Sequence, residues 1–369
     1  MRRFRRSAGG SAQSLIVVVL AVVALAAVVT AGVWFSQIKK PVDQHQVEQD
    51  EVFQKLTLGP QRVTNTLDAT YTDADGDLLA DAPKDPARFI DPPVLNFCYV
   101  AVEDSAPFRQ AFADLMAHLE RETGRPVKYV EFASTTEQLR ALRDGELHVT
   151  GFNTGGVPIA VNACGFVPVS LLAGPDNSGF YRMQVIVRAG NPVRALSDLK
   201  GHELTLTEAS SNSGYKAPLV LLRDAGLVPG RDYGIRYSLG QDASIDGIAA
   251  GSYEAAAVAS DVLKRAVAAG RIKPEQFRVI HESDEFPSAA LGYAHNLKPE
   301  LAASIRAALL KFDWTNTSLA AYFNNAGQTR FVPADYRKDW ETVRRIDDEI
   351  GYLHRLPEPT AQPAATQPS

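Results

Sequence analysis

The hydrophobic positions of the chain fall into two regimes. One is an uninterrupted apolar run, Leu15–Phe35, 21 residues long; at about 1.5 Å per helical residue it matches a hydrocarbon core of roughly 30 Å. From residue 94 onward, short β-like runs alternate with helical patterns. "VLNFCYVAV" (94–102), "PVKYVEFA" (126–133), "LHVTGF" (147–152) and "FVPVSLLA" (166–173) read as strands. Between them, Phe108, Phe112, Leu115 and Leu119 recur on one helical face that ends at Gly124. Ser134 and Glu137 form a capping box for a second helix, and Gly155–Gly156 opens a third. The alternation continues through "RMQVIVRAG", "ELTLTEA", "YGIRYSLG", "YEAAAVAS" and "FRVIHES". Further helices are expected at 215–226, in "ASIDGIAAGS" and in "DVLKRAVAAG". This pattern predicts an α/β fold with mainly parallel sheets.

The flanks are of another character. Four arginines in "MRRFRRSAGG" precede the apolar run and Lys39 and Lys40 follow it. That asymmetry places a cytoplasmic tip at 1–14 and everything after a membrane segment at 15–36 outside the cytoplasm. A single N-terminal transmembrane helix is the preferred reading, because the run exceeds a signal-peptide core and ends in Trp34–Phe35. A cleaved signal with "VTA" (Val29–Ala31) as its processing site stands as the alternative. Residues 37–93 read as a spacer with an acidic loop, and 356–369, rich in Pro, Ala, Thr and Gln, as a disordered tail.

Composition narrows the picture little. The chain is 45% hydrophobic and 22% charged with net charge −5, which gives no basic surface for nucleic acid. The two cysteines, Cys98 and Cys164, are too few for a disulfide framework; two separate buried thiols are the preferred reading and a single pairing in an extracytoplasmic body the alternative. No metal spacing joins the histidines, and no GxSxG, Walker or dinucleotide motif is present. Asp73, Asp75, Asp77 and Asp81 have the spacing of half an EF-hand, a candidate for structural calcium or simply a solvated acidic turn. Leu78 and Lys84 stand where such a loop carries its glycine and closing glutamate.

The candidate chemistry lies in "TEASSNSGYKAPLVLL" (207–222), where a strand passes through Ser211, Asn212, Ser213 and Gly214 into a helix. Small residues before a helix N-terminus form a cradle for an anion, since the first-turn N–H groups are unpaired and the dipole favours negative charge. An ordinary N-cap at Ser213 is the plainer alternative. Pro218 fixes the helix start near Tyr215. Lys216 is expected to be solvated.

Four segments in order make the chain resemble the phosphate/phosphite/phosphonate-binding proteins of ABC transporters. They are "EQLRALRDGELHVTGFNTG" (137–155), "NPVRALSDLKG" (191–201), "SNSGYKAP" (211–218) and "LGQDASIDGIAAGSYEAAAVASDVL" (239–263). The resemblance runs from about Val94 to about Lys311. It implies a two-lobed type II periplasmic-binding fold with a cleft between the lobes, 94–182 and 279–355 forming lobe 1 and 183–278 lobe 2. It also implies an extracytoplasmic solute-binding protein, monomeric, that closes on a small phosphorus oxyanion, hands it to an ABC permease subunit and does no covalent chemistry. A sensor module and an enzyme on the same scaffold are the alternatives. Mapped onto the family pattern, the ligand residues are Phe152, Asn153, Thr154, Ser211, Asn212, Ser213, Gly214, Tyr215, Gln241, Asp242 and Asp261. Phe152 stands where the family usually has a donor tyrosine and Gln241 where it often has histidine. Only Asp261 matches an acid that would meet a ligand amine. Phosphate, phosphite or a small alkylphosphonate is therefore expected over an aminoalkyl one.

Overall fold

The apolar runs of the sequence become the inner strands of two separate sheets. The computed structural model describes residues 62–100, 106–176, 178–238 and 240–356. Its strands are β1 (Leu95–Cys98), β2 (Val127–Tyr129), β3 (Val149–Phe152), β4 (Phe166–Ala173), β5 (Phe180–Arg188), β6 (Glu203–Leu206), β7 (Gly234–Tyr237), β8 (Ala255–Ala259), β9 (Phe277–Pro287), β10 (Ala290–Ala294) and β11 (Arg330–Pro333). The helices are α1 (Ala106–Ala111), α2 (Ala113–Thr123), α3 (Thr135–Arg143), α4 (Val157–Cys164), α5 (Ala217–Asp224), α6 (Gln241–Ala250), α7 (Ser260–Ala268), α8 (Pro299–Lys311), α9 (Ser318–Phe323), α10 (Tyr336–Asp339) and α11 (Glu341–Glu349).

One sheet has the order β11-β4-β10-β3-β1-β2 and the other β7-β6-β8-β5-β9. Every residue of β3 and β8 is buried, as expected of central strands covered on both faces. The sheets are mixed, not mainly parallel. Parallel pairing is confined to β1 with β2 and β3, and to β6 with β7 and β8. The physical reason lies in the crossings. β5 enters the second sheet directly from β4 of the first, β9 leaves it directly for β10, and the two pair antiparallel, from Phe180 opposite Pro287 to Arg188 opposite Phe277. No crossover helix intervenes to restore a parallel direction. The sheets exchange the chain at 174–179 and at 288–289, whereas the sequence placed the boundaries at 182/183 and 278/279.

Local signals hold where they are strong. Ser134 accepts from the Glu137 amide at 3.2 Å, starting α3. Gly124 takes φ +66° just past α2, the left-handed cap that lets the chain leave a helix. The expected helix at 107–124 is broken at Phe112, whose ring packs tilted on Phe97 and Tyr99 in the core. Cys98 and Cys164 are both free and buried, and burial pushes each thiol up to about 12.

The tip 1–14, the apolar run Leu15–Phe35, the first part of the spacer, up to residue 61, and the tail from 357 lie outside the described residues. Among the described residues no helix is long and apolar enough to cross a membrane. From residue 62 the spacer is sewn to the body: the Val63 amide donates to Asp348 O at 3.1 Å and the Asp68 amide to Asn162 O at 2.8 Å.

His295 carries a stability consequence. Its ring meets Tyr71 edge-on at 4.8 Å and stands close to Gly165. Desolvation, then the nearby Arg88 charge, depresses it from 6.5 to about 4. The folded state therefore holds this ring neutral where the unfolded chain would protonate it. Its contribution is full above about pH 6.5 and is lost as the pH falls towards 4. A His295→Gln variant is expected to flatten the thermal-stability profile between those limits, as read by scanning calorimetry across pH. A profile as steep as wild type would contradict the assignment.

Candidate functional site

The small-residue loop after β6 forms a structure that sequence reading only sketched. Asn212–Lys216 makes a single π-helical turn before α5 begins at Ala217, with Pro218 tolerated near the helix start. The Ser211 hydroxyl oxygen accepts from the Gly214 amide at 3.1 Å and caps the turn. The Gly214 N–H is thereby consumed, so this glycine is not an anion donor.

Across from the loop lies the segment after β3. The Asn153 side-chain oxygen accepts from the Gly156 amide at 2.7 Å, which turns its amide nitrogen to the open side. The two loops touch at Gly155. A Cβ there would collide with the Ser210 carbonyl and stand 2.8 Å from the Asn212 nitrogen. Only a glycine allows the two backbones this approach.

Between these loops is a cavity of about 150 Å³. Seven of the sequence candidates line it: Asn153, Thr154, Ser211, Asn212, Ser213, Gln241 and Asp261. Four lie elsewhere. Phe152 is core, packed edge-on against Phe166 at 5.1 Å, because the alternation of β3 points it inward. Tyr215 is buried and stacked near Tyr237, and Gly214 backs onto Thr207. Asp242 is on the surface, paired with Arg271.

The donors are set by a relay. The Ala259 amide donates to Gln241 Oε1 at 2.6 Å, which fixes the amide so that Nε2 donates to Ser213 Oγ at 2.9 Å. A hydroxyl that already accepts has its single proton left to give, and that of Ser213 is shared between the cavity and the Tyr181 hydroxyl that lines it. The same logic holds for Ser211, whose oxygen accepts from Gly214 and, at 3.5 Å, from Gln241. Thr154 is committed in the other direction, donating to Pro287 O at 2.8 Å beside the sheet crossing.

Sequence reading missed the tyrosine it found lacking at Phe152. Tyr181, the second residue of β5, brings its hydroxyl to Asn212 Nδ2 at 3.3 Å. Desolvation raises its pKa, with polar side-chain contacts to Thr154, Asn212 and Ser213 opposing, so it remains a phenol at neutral pH. Tyr99, Phe108 and Phe323 supply apolar wall, and Arg265 the one cation among the described lining residues. Arg265 lies over the Tyr322 ring, 5.8 Å from its centroid. These residues come from sequence-distant elements, and no local motif marks them.

Asp261 is the one carboxylate among the described lining residues. Burial raises its pKa against the pull of Arg265. Its Oδ1, together with Gln328 Oε1 and Asn212 Oδ1, is shielded from solvent without a hydrogen-bond partner. Such acceptors are costly unless something donates to them.

Lys216 is buried completely, not solvated. Its Nζ donates to Gly155 O at 2.9 Å and pairs with Asp347 at 2.9 Å. Burial pushes the ammonium pKa down and Asp347 opposes it. In the acidic loop, carboxylate oxygens of Asp73, Asp75 and Asp77 lie within 4.8 Å of one another. Asp81 is not part of that cluster and accepts from the Ala74 amide at 3.0 Å. Asp73 itself accepts from the amides of Gly76 and Leu78.

Two sheets joined by a double crossing, with facing donor loops over a small cavity, define a two-lobed ligand-binding protein. A family model described as "ABC transporter, phosphonate, periplasmic substrate-binding protein" matches residues 97–340, and the chain belongs to that family. It is 23% identical over 222 residues to the phosphate-import protein PhnD of Mycolicibacterium smegmatis, covering 57% of this chain and 69% of that protein. Its fold is similar to a binding-protein component of an ABC phosphonate transporter from Pseudomonas aeruginosa, at TM-score 0.61 and 17% identity, covering 70% of this chain and 86% of that one. It is also similar to PhnD1 from Prochlorococcus marinus in complex with methylphosphonate, at TM-score 0.59 and 16% identity, covering 71% and 100%.

The contact at Gly155 makes a sharp prediction. Gly155→Ala should hold the two loops apart and weaken oxyanion binding at least about tenfold while leaving the melting temperature of the free protein within a few degrees. Isothermal calorimetry and a thermal scan on the same sample check it. Unchanged affinity would show that the loops need not meet.

Proposed function

We propose that the cavity captures a small phosphorus oxyanion, that of phosphate, phosphite or a short alkylphosphonate, for delivery to an ABC permease. The observation that carries this reading is the relay from the Ala259 amide through Gln241 to the Ser213 hydroxyl, facing Asn153 across the cavity. Oriented hydroxyl and amide donors replace a hydration shell without needing a paired cation, and hydrogen bonds to an ionised acceptor are the strong ones. Asp261 adds selection. A buried carboxylate beside an oxyanion needs one proton shared between them. A monoprotonated phosphorus oxyanion brings that proton, and sulfate at neutral pH does not. The second orphaned acceptor, Gln328 Oε1, suits the same hydrogen.

The working body is extracytoplasmic, in keeping with its family. Leu15–Phe35, with its arginine-rich leading flank, tethers the body to the membrane in this reading, and residues 37–61 supply reach. Capture involves no covalent step: the ligand stabilises the arrangement in which the two donor loops meet.

Calorimetry with methylphosphonate, inorganic phosphate, phosphite and sulfate tests the reading. At least one phosphorus oxyanion is expected to bind, with sulfate at least about tenfold weaker. Ser213→Ala should cost about 1.5–3 kcal/mol, or about 10- to 150-fold, the range for a hydrogen bond to a charged group. Asp261→Asn should narrow the gap between sulfate and the phosphorus oxyanions. Sulfate binding as tightly as any of them in the wild type, or a silent Ser213→Ala, would overturn the proposal.

A further inference from the structure

Lys216 is a basic side chain at the end of the loop after β6, yet it does not line the cavity. It is fully buried, and burial of an ammonium is tolerated only with close partners. Its partners come from three places. Gly155 O, at 2.9 Å, belongs to the first lobe's donor loop. The Asp347 carboxylate, at 2.9 Å, belongs to α11. The Tyr352 ring lies beneath it, with its centroid 4.0 Å from Nζ.

The segment 340–354 that supplies two of these partners touches both lobes. It leaves the first sheet after β11, and α11 then packs on α5 and on the 212–216 turn of the second lobe. At its start, Trp340 Nε1 donates to Thr154 O at 2.9 Å, next to Gly155. At its end, His354 links Asp347 Oδ2, at 2.8 Å, to Asn162 of α4, at 2.9 Å. The spacer joins the same cluster, since Asn65 Nδ2 donates to Asp348 at 2.8 Å and the His354 amide to Asn65 Oδ1 at 2.8 Å. The carbonyls of Thr154 and Gly155, consecutive residues in the loop that faces the anion turn, are thus both held by donors tied to this segment.

We infer that Lys216 and Asp347 are positioning residues for ligand capture: through the C-terminal segment they clasp the Gly155 carbonyl to the anion loop and so set the spacing of the two half-sites. Neither residue touches the ligand. The clasp acts on the equilibrium between lobes that meet and lobes that are apart, and a ligand that bridges both half-sites has its affinity scaled by the fraction that meet. The inference rests on the oxyanion reading only for its binding arm.

The test uses the full chain with Lys216→Met, Asp347→Asn and the double variant Lys216→Met/Asp347→Leu. Replacing a buried ion pair by apolar side chains commonly preserves or raises stability, whereas removing one partner does not. The double variant therefore keeps the fold while still lacking the bridge to Gly155. Nitroxides at Lys128→Cys and Glu275→Cys, exposed on opposite lobes and distinct from the buried native thiols, report lobe separation by pulsed electron resonance without ligand. All three variants are expected to shift the distribution to longer distances than wild type. Methylphosphonate or phosphate, whichever binds wild type, should bind each about 10- to 100-fold more weakly. An unshifted distribution, or a double variant with wild-type melting temperature and wild-type affinity, overturns the inference. If no oxyanion binds wild type, the functional reading fails, while the distance measurement still decides the clasp.

Discussion

At Gly155 two backbones from different lobes meet with no space for a side chain between them. That contact sets the scale of the site. It brings Asn153 opposite Ser211 and Ser213 across a cavity of about 150 Å³. Larger residues at 155 would hold the half-sites apart, and hydrogen bonds to an oxyanion fall off within a fraction of an ångström. The two crossings of the chain, at 174–179 and 288–289, carry it from one lobe to the other and back.

The cavity carries little formal charge. Arg265 is its one cation among the described lining residues. The donors are ordered beforehand: Ala259 holds Gln241, Gln241 holds Ser213, and Ser213 is left with one proton to give. A buried network does the same for the first lobe. Gln138, fully buried, donates to Tyr99 O, Thr150 Oγ1 and Gly151 O, fixing the carboxyl ends of β1 and β3 where they face the cavity. Preordering matters because a site that must reorganise spends part of its binding energy on doing so.

What the sequence revealed was local. The small-residue loop after β6, the helix cap at Ser134 and the alternation of strand and helix all arise from residues within a few positions of each other, and the structure keeps them, although Glu137 reaches back to the Ala133 amide and not to that of Ser134. Strand direction was not local. Whether β5 runs with or against β8 depends on how the chain crosses between sheets, which no periodicity encodes. The site divides on the same line. Ser211 and Ser213 were readable because their loop has a distinctive composition, and Gln241 only through the resemblance to the family. Tyr181 and Gln328 were not, because each reaches the cavity from an unremarkable stretch. Phe152 was misplaced by one step of strand alternation, since a motif gives order along the chain but not which face a side chain takes. Lys216 looked like a surface lysine because its partner, Asp347, lies 131 residues away.

The most direct measurement is a crystal structure of the protein grown with saturating methylphosphonate. The account predicts tetrahedral density in the cavity within hydrogen-bond distance of the Ser211 and Ser213 hydroxyls on one side and Asn153 on the other, with Gly155 still against Ser210–Asn212. Density bound outside this cavity, or ligand held by one lobe alone with the two loops apart, would contradict it.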